Sequence, residues 1–194
     1  PACGANCFAG KVRGTLPAEL ALALSPLVET IDELTRKIRA QDREIERVCE
    51  EKYPETALLR QVVGVGAVTA LRFVLTLENP HRFTSSRSVA SYLGLRPRRS
   101  QSGGSDPQMR ITKAGDREMR RLLVHSAHYI LGPFGKDCDL RRFGERLAAR
   151  GGKSGKKRAV VAVARKLAVL LHRLWVTGET YEALRNGNKM KIAA

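Results

Sequence analysis

Leu58-Leu59-Arg60-Gln61-Val62-Val63-Gly64-Val65-Gly66-Ala67-Val68-Thr69-Ala70-Leu71 is the stretch on which the reading of the fold turns. Apolar residues crowd both ends and two glycines stand between them. Glycine weakens a helix but frees the backbone for a tight turn, so the pattern predicts helix, turn, helix. The second helix should run to about Leu77, because Asn79-Pro80 disfavours helix beyond it. The N–H groups that open such a helix have no intrahelical partner and can meet an anion. An ordinary helix pair, with its glycines kept for close packing, would use the same residues.

The segment resembles the helix-hairpin-helix motif of DNA-handling proteins. There, Gly64, Val65 and Gly66 would approach a phosphate without reading bases. The charge distribution points the same way. The chain has 194 residues and a formal net charge of +16, unevenly placed. From Pro17 to Thr56 ten acids face six bases. From Arg96 to Arg121 eight bases face three acids, and from Arg141 to Arg173 eleven bases face only Glu145. Such segregation suits a polyanion partner better than a uniformly solvated surface. The basic stretches lack the Trp/Phe-rich face of membrane-surface helices. No apolar run reaches the ~18–20 residues of a membrane span, since Arg165 and Lys166 interrupt Ala159–Leu171.

Upstream of the hairpin, residues 1–16 read as an irregular tail or cut linker, and 17–54 as a long helix. Leu20, Leu24, Leu27, Ile31, Leu34, Ile38, Gln41, Ile45 and Val48 recur at steps of four and three. That heptad stripe predicts a coiled-coil arm and a homo-oligomer formed through it; folding back onto its own domain is the alternative. Pro26 is expected to kink or divide the first turns, and Tyr53-Pro54 to end the helix. Residues 55–185 read as one helical domain and 186–194 as a disordered tail. Within that domain a short helix should run from Ser85 or Ser86 to Tyr92. Further helices are expected at Arg117–Leu131, capped by Asp116, at about Asp139–Ala149 and at about Arg158–Trp175. The stretch Arg96–Pro107 cannot be regular helix, and Gly151–Lys157 reads as a flexible basic loop.

Candidate chemistry is sparse. Cys3, Cys7, Cys49 and Cys138 form no C-x-x-C pair, His125 and His128 lack a supporting ligand pattern, and the acids do not group as a two-metal centre; no metal site is expected. Gly151–Lys157 departs from the phosphate-loop order. A serine remains. Ser102 precedes Gly103-Gly104, where a phosphate can approach closely, with Arg96, Arg98, Arg99 and Arg110 near in sequence to stabilise charge. On chemistry alone, Ser-Gly-Gly is equally a flexible loop. Lys113, Arg117, Arg120, Arg121, Lys153, Lys156, Lys157 and Arg158 complete the candidate nucleic-acid-binding set.

An ordered series joins these pieces. It runs Val63-Gly64-Val65-Gly66-x-x-Thr69-Ala70, Arg82-Phe83, Ala90-Ser91-Tyr92-Leu93-Gly94-Leu95-x-Pro97, Ser102-Gly103, then Arg110-Ile111-Thr112-Lys113-x-Gly115, Arg120 and Leu123. It resembles the C-terminal half of insertion-sequence transposases of the IS116/IS110/IS902 type, related to the Piv/MooV DNA invertases and described as bridge-RNA-guided serine recombinases. The resemblance implies DNA as partner, a guide RNA as a second candidate partner, and a serine that becomes covalently joined to DNA. That serine maps onto Ser102, with Ser100 and Ser105 as fallbacks. It also implies a separate N-terminal RuvC-like domain whose acids bind Mg2+. Residues 1–50 hold no such domain, so the chain, which begins at Pro1, reads as part of a larger protein that needs its other half to act. The expectation is a mainly α chain, a coiled-coil arm followed by a compact helical domain with a helix-hairpin-helix motif, and a bacterial cytoplasmic, nucleoid-associated location. The alternative function is a non-catalytic module that only binds nucleic acid.

Overall fold

Helix follows the apolar periodicity through most of the chain. The computed structural model describes residues 3–186 except Asp106, Gln108 and Lys153, so the expected tail beyond Asn186 lies outside the described residues. The described residues form α1 (Ala5–Arg13), α2 (Ala18–Lys52), α3 (Thr56–Arg60), α4 (Ala67–Leu77), α5 (Ser86–Tyr92), α6 (Arg117–Leu131), α7 (Asp139–Ala149) and α8 (Gly155–Thr177), with one 3-10 turn at Pro80–Arg82. Among them there is no strand. The mainly α expectation holds.

The chain divides into two compact units, Pro1–Val48 and Cys49–Ala194. In the first, the stretch expected to be irregular contains α1. Gly4 and Gly14 stand at its two caps, where glycine costs a helix little, while Lys11 and Arg13 in its last turn suit the helix dipole. Arg13 pairs with Asp32 of α2 at 3.2 Å. Pro26 does not divide α2, which is continuous from Ala18 to Lys52. The carbonyl deprived of a partner by Pro26 belongs to Leu22, whose residue is 90% exposed, so water can satisfy it. Much of the heptad stripe is exposed, Leu34 by 53% and Ile38 by 61%, while Leu24, Ile45 and Val48 are half-buried.

The second unit begins in the last turn of α2, where Cys49 is buried with its sulfur 3.9 Å from the Ala67 carbonyl. Its core is built around α8. Val160, Val163, Ala164, Leu167, Ala168 and Leu171 form one apolar stripe, and α3, α5, α6 and α7 pack against that helix. His172 is buried on it, its ring nitrogens meeting Ser86 Oγ at 3.0 Å and the Pro80 carbonyl at 2.8 Å. The Gly151–Lys157 stretch is only partly loop, because α8 begins at Gly155 and includes Lys156 and Lys157. The apolar run beyond them is long enough to carry the helix back through its basic start.

Between α5 and α6 the chain makes a short antiparallel ribbon that the sequence did not announce. Arg98 N–H donates to the Arg110 carbonyl at 2.9 Å, Thr112 N–H to Arg96 at 2.9 Å, and Lys113 N–H to Gly94 at 3.0 Å. Leu95 and Ile111 anchor it to the core. At its base two backbones cross so closely that a Cβ on Gly94, at φ +69°, would lie 2.0 Å from the Ala114 carbonyl oxygen. Gly94→Ala should therefore cost about 3 kcal/mol or more, combining left-handed strain with overpacking. Gly104→Ala, whose Cβ would meet nothing, should stay within about 0.5 kcal/mol of the parent. Urea denaturation of the two variants would measure this, and equal midpoints would contradict the tight crossing.

Candidate nucleic-acid interface

The far end of the ribbon carries the serines. Ser102 and Ser105 exchange backbone hydrogen bonds of 3.2 and 3.1 Å across Gly103-Gly104, a two-residue hairpin turn. Ser100, Ser102 and Ser105 are all exposed, and a Cβ on Gly103 or Gly104 would meet no atom within 4 Å. A bulky polyanion thus has room to reach Ser102. Arg96, Arg98, Arg99, Arg110 and Lys113 are exposed on the same ribbon. Among the described residues no side chain hydrogen-bonds to Ser102 Oγ and none stands there as a general base.

The glycine hairpin lies elsewhere on the same unit and its two glycines differ in role. Gly64, at φ +85°, packs on α6, where an added Cβ would come within 3.1 Å of the Ser126 carbonyl oxygen and 3.2 Å of the Tyr129 ring. Gly66 is the N-cap of α4, makes no tight contact and leaves the first turn of that helix without a side-chain cap. Close packing thus accounts for Gly64, while Gly66 keeps the helix start open. Val65 is largely buried in the core, so only its backbone can face a ligand. His125, Tyr129 and Lys136 line the shallow cleft beside Val63–Gly66. No local pattern announces that grouping, because Lys136 and the hairpin are far apart along the chain.

The other basic residues divide by environment. Arg117 is exposed, and Arg121 is exposed while pairing with Glu118 at 2.7 Å. Lys156, Lys157 and Arg158 occupy the first turn of α8, which has no acid. Cations there oppose the helix dipole, and an anionic ligand would relieve them. Lys153 lies outside the described residues. Arg96 and Arg99 share a groove with Arg87 of α5 and Arg165 of α8, neither of which the sequence had marked. Their only sequence signal is position: Arg87 is off the apolar face of α5 and Arg165 breaks the apolar run of α8.

Comparison with known proteins now bears on these residues. Residues 56–134 match the family described as Transposase IS116/IS110/IS902. That segment of the chain is therefore similar to transposases of this family. The chain is similar to the transposase for insertion sequence element IS1111A of Coxiella burnetii, with 32% identity over 63% of this chain and 33% of the relative. It is also similar to the pilin gene-inverting protein of Moraxella lacunata, with 31% identity over 59% of this chain and 34% of the relative. The transposase for IS1328 of Yersinia enterocolitica is 32% identical over 60% and 34%. The matched part spans about a third of the length of these relatives. Among the described residues no three His, Cys, Asp or Glu side chains are grouped so as to hold a metal ion. None of the described helices is long and apolar enough to cross a membrane.

Arg120, one of the expected nucleic-acid contacts, is half-buried and has one guanidinium nitrogen turned to the main chain. Its Nη1 lies 3.2 Å from the Leu93 carbonyl, 2.5 Å from Ala114, 3.1 Å from Gly115 and 3.2 Å from Asp116. Through that nitrogen it fastens the crossing at the base of the ribbon. Beside it, Asp116 caps α6 by accepting the Met119 N–H at 2.6 Å, as expected, and pairs with Arg72 at 2.5 Å. The Met119 N–H, followed by the Arg72 guanidinium, holds this carboxyl below the usual range, so it stays ionised. Arg120→Lys keeps the charge but leaves carbonyls unsatisfied, and should cost about 1–3 kcal/mol of stability. Arg121→Lys, on an exposed pair, should cost under about 0.5 kcal/mol. Thermal melts of the two would separate a structural arginine from a surface one.

Proposed function

We propose that this chain is the nucleic-acid-binding and serine-nucleophile part of a transposase or site-specific recombinase acting on DNA. The observation that carries the proposal is the exposed Ser102 hairpin at the tip of a ribbon whose arginines have no ion-pair partner among the described residues. In the proposed step, Ser102 Oγ attacks a backbone phosphorus as the bond to one ester oxygen breaks. A Ser–phosphodiester link forms, the serine proton is lost to solvent, and the departing oxygen takes one up. Because one phosphodiester replaces another, little bond energy is lost and the step can be reversed to join a new strand. The arginines hold the phosphate and offset its charge. The open start of α4 at Gly66 and the basic first turn of α8 add backbone contacts. The relatives' names and the matched family support transposition or inversion of DNA as the setting; a guide RNA remains a second candidate partner for the same basic surface.

For this chain alone we expect DNA binding without cleavage, and an affinity that falls steeply as salt rises, by ~0.9 in log K per log salt for each phosphate contacted. In the intact transposase, Ser102→Ala should abolish covalent protein–DNA complexes resistant to SDS, while Ser100→Ala and Ser105→Ala retain them. Persistence of the adduct in Ser102→Ala would sink the assignment. A module that binds without catalysis is the second reading, favoured by the lack of a base within hydrogen-bond reach of Ser102 among the described residues.

The exposed part of the stripe on α2 supports self-association through a coiled coil. Ile31→Lys or Ile38→Lys should reduce the mass found by sedimentation equilibrium toward that of a single chain. An unchanged mass would remove the coil from the proposal.

A further inference from the structure

The groove between α5, the ribbon and α8 is a strongly basic concavity of the second unit. It encloses about 390 Å³ and is lined by Arg87, Ser88, Ser91, Arg96, Arg99 and Arg165, with Pro97 the one apolar side chain at its wall. Among the described residues no carboxylate lines it. Among the described residues none of the four arginines forms an ion pair, whereas Arg72, Arg121, Arg141, Arg142, Arg173 and Arg185 all do. Four guanidiniums converging on one concavity repel each other, and an anion is what relieves that repulsion.

Local structure explains why they converge. Val89 and Ala90 bury one face of α5 against the core. Arg87, Ser88 and Ser91, spaced as one helical face, are left on the other. Arg165 lies on the outer side of α8, whose apolar stripe is buried on the opposite side. Its neighbour Lys166 is engaged differently, with its ammonium 3.9 Å from the centre of the Phe143 ring. Arg96 and Arg99 come from the ribbon. The guanidinium fork and the serine hydroxyls are donors matched to phosphate oxygens.

We propose that this groove clamps the phosphodiester backbone of the DNA strand presented to Ser102, with Arg87 and Arg165 as positioning residues. The statement deepens the proposed function and rests on it for the identity of the strand. Arg99 and Ser102 are three positions apart in the chain, a span of at most ~11 Å. With phosphates of one strand rising ~3.4 Å each, the clamped backbone lies within about three nucleotides of the phosphate facing the serine. The volume is at the small end of the ~300–1,000 Å³ typical of ligand sites, which suits a short run of one strand rather than a whole duplex.

The test uses the full 194-residue chain and fluorescence anisotropy with a 30-base-pair DNA duplex and a single-stranded RNA of equal length, over a salt series. Arg87→Gln/Arg165→Gln should weaken DNA binding and lower the slope of log K against log salt by about 1.8, two contacts at ~0.9 each. Arg36→Gln/Arg43→Gln, which removes the same charge from the acidic α2, should leave the slope unchanged. Arg87→Lys/Arg165→Lys should restore most of the slope, a rescue that a purely structural role would not give. Circular dichroism melts confirm folding, since both arginines are exposed. If the parent binds DNA but the groove variant matches the α2 control, the clamp is overturned while the proposed function stands. If only RNA binding falls, the clamp's assignment to the DNA strand is overturned. If the parent binds neither probe, both proposals fall.

Discussion

The crossing of backbones beneath the ribbon is the constraint on which the rest of the candidate interface depends. Gly94 and Gly115 let two chain segments approach closer than any side chain permits, with an added Cβ at Gly115 falling 2.1 Å from the Tyr92 carbonyl oxygen. Arg120 then ties four carbonyls at the junction with one guanidinium nitrogen. The glycines permit the approach and the charged donor holds the carbonyls it brings together, so glycine and arginine act as one device. The device fixes where the ribbon leaves the core, and so where its arginines and the Ser102 hairpin can stand.

Charge is distributed in keeping with that arrangement. Arginines at structural positions are engaged: Arg72 by Asp116, Arg142 by Asp137, Arg120 by main-chain oxygens. Those on the ribbon, in the α5–α8 groove and at the start of α8 lack carboxylate partners among the described residues. A protein selected only for stability would gain by pairing them or removing them. Their retention on an exposed face fits a surface completed by phosphates, where released counterions drive association.

Much of the helical architecture was legible beforehand because its causes are local. Asp116 marks the start of α6 through a cap that depends on three residues, and Leu77 ends α4 because Asn79-Pro80 follows. Two readings went astray for reasons that are also physical. Glycines near the N-terminus suggested irregular chain, yet two of them stand at the caps of α1. Lys156 and Lys157 looked like loop, yet the apolar stripe of α8 extends helix back through them. Arg120 looked like its neighbours Arg117 and Arg121, since charge alone does not say which arginine turns inward.

By itself the sequence determined the helices, the heptad stripe, the glycine hairpin, the segregation of charge and the family series that includes Ser102-Gly103. Each is written in periodicity, in turn chemistry or in residue order, all of which act over a few positions of chain. Only the tertiary structure decided that Arg110–Lys113 returns to pair with Gly94–Arg98, that Arg120 serves the core, and that Arg87 and Arg165 join Arg96 and Arg99 in one groove. Those groupings join residues separated by many positions, and they arise from packing around α8, which no local pattern encodes.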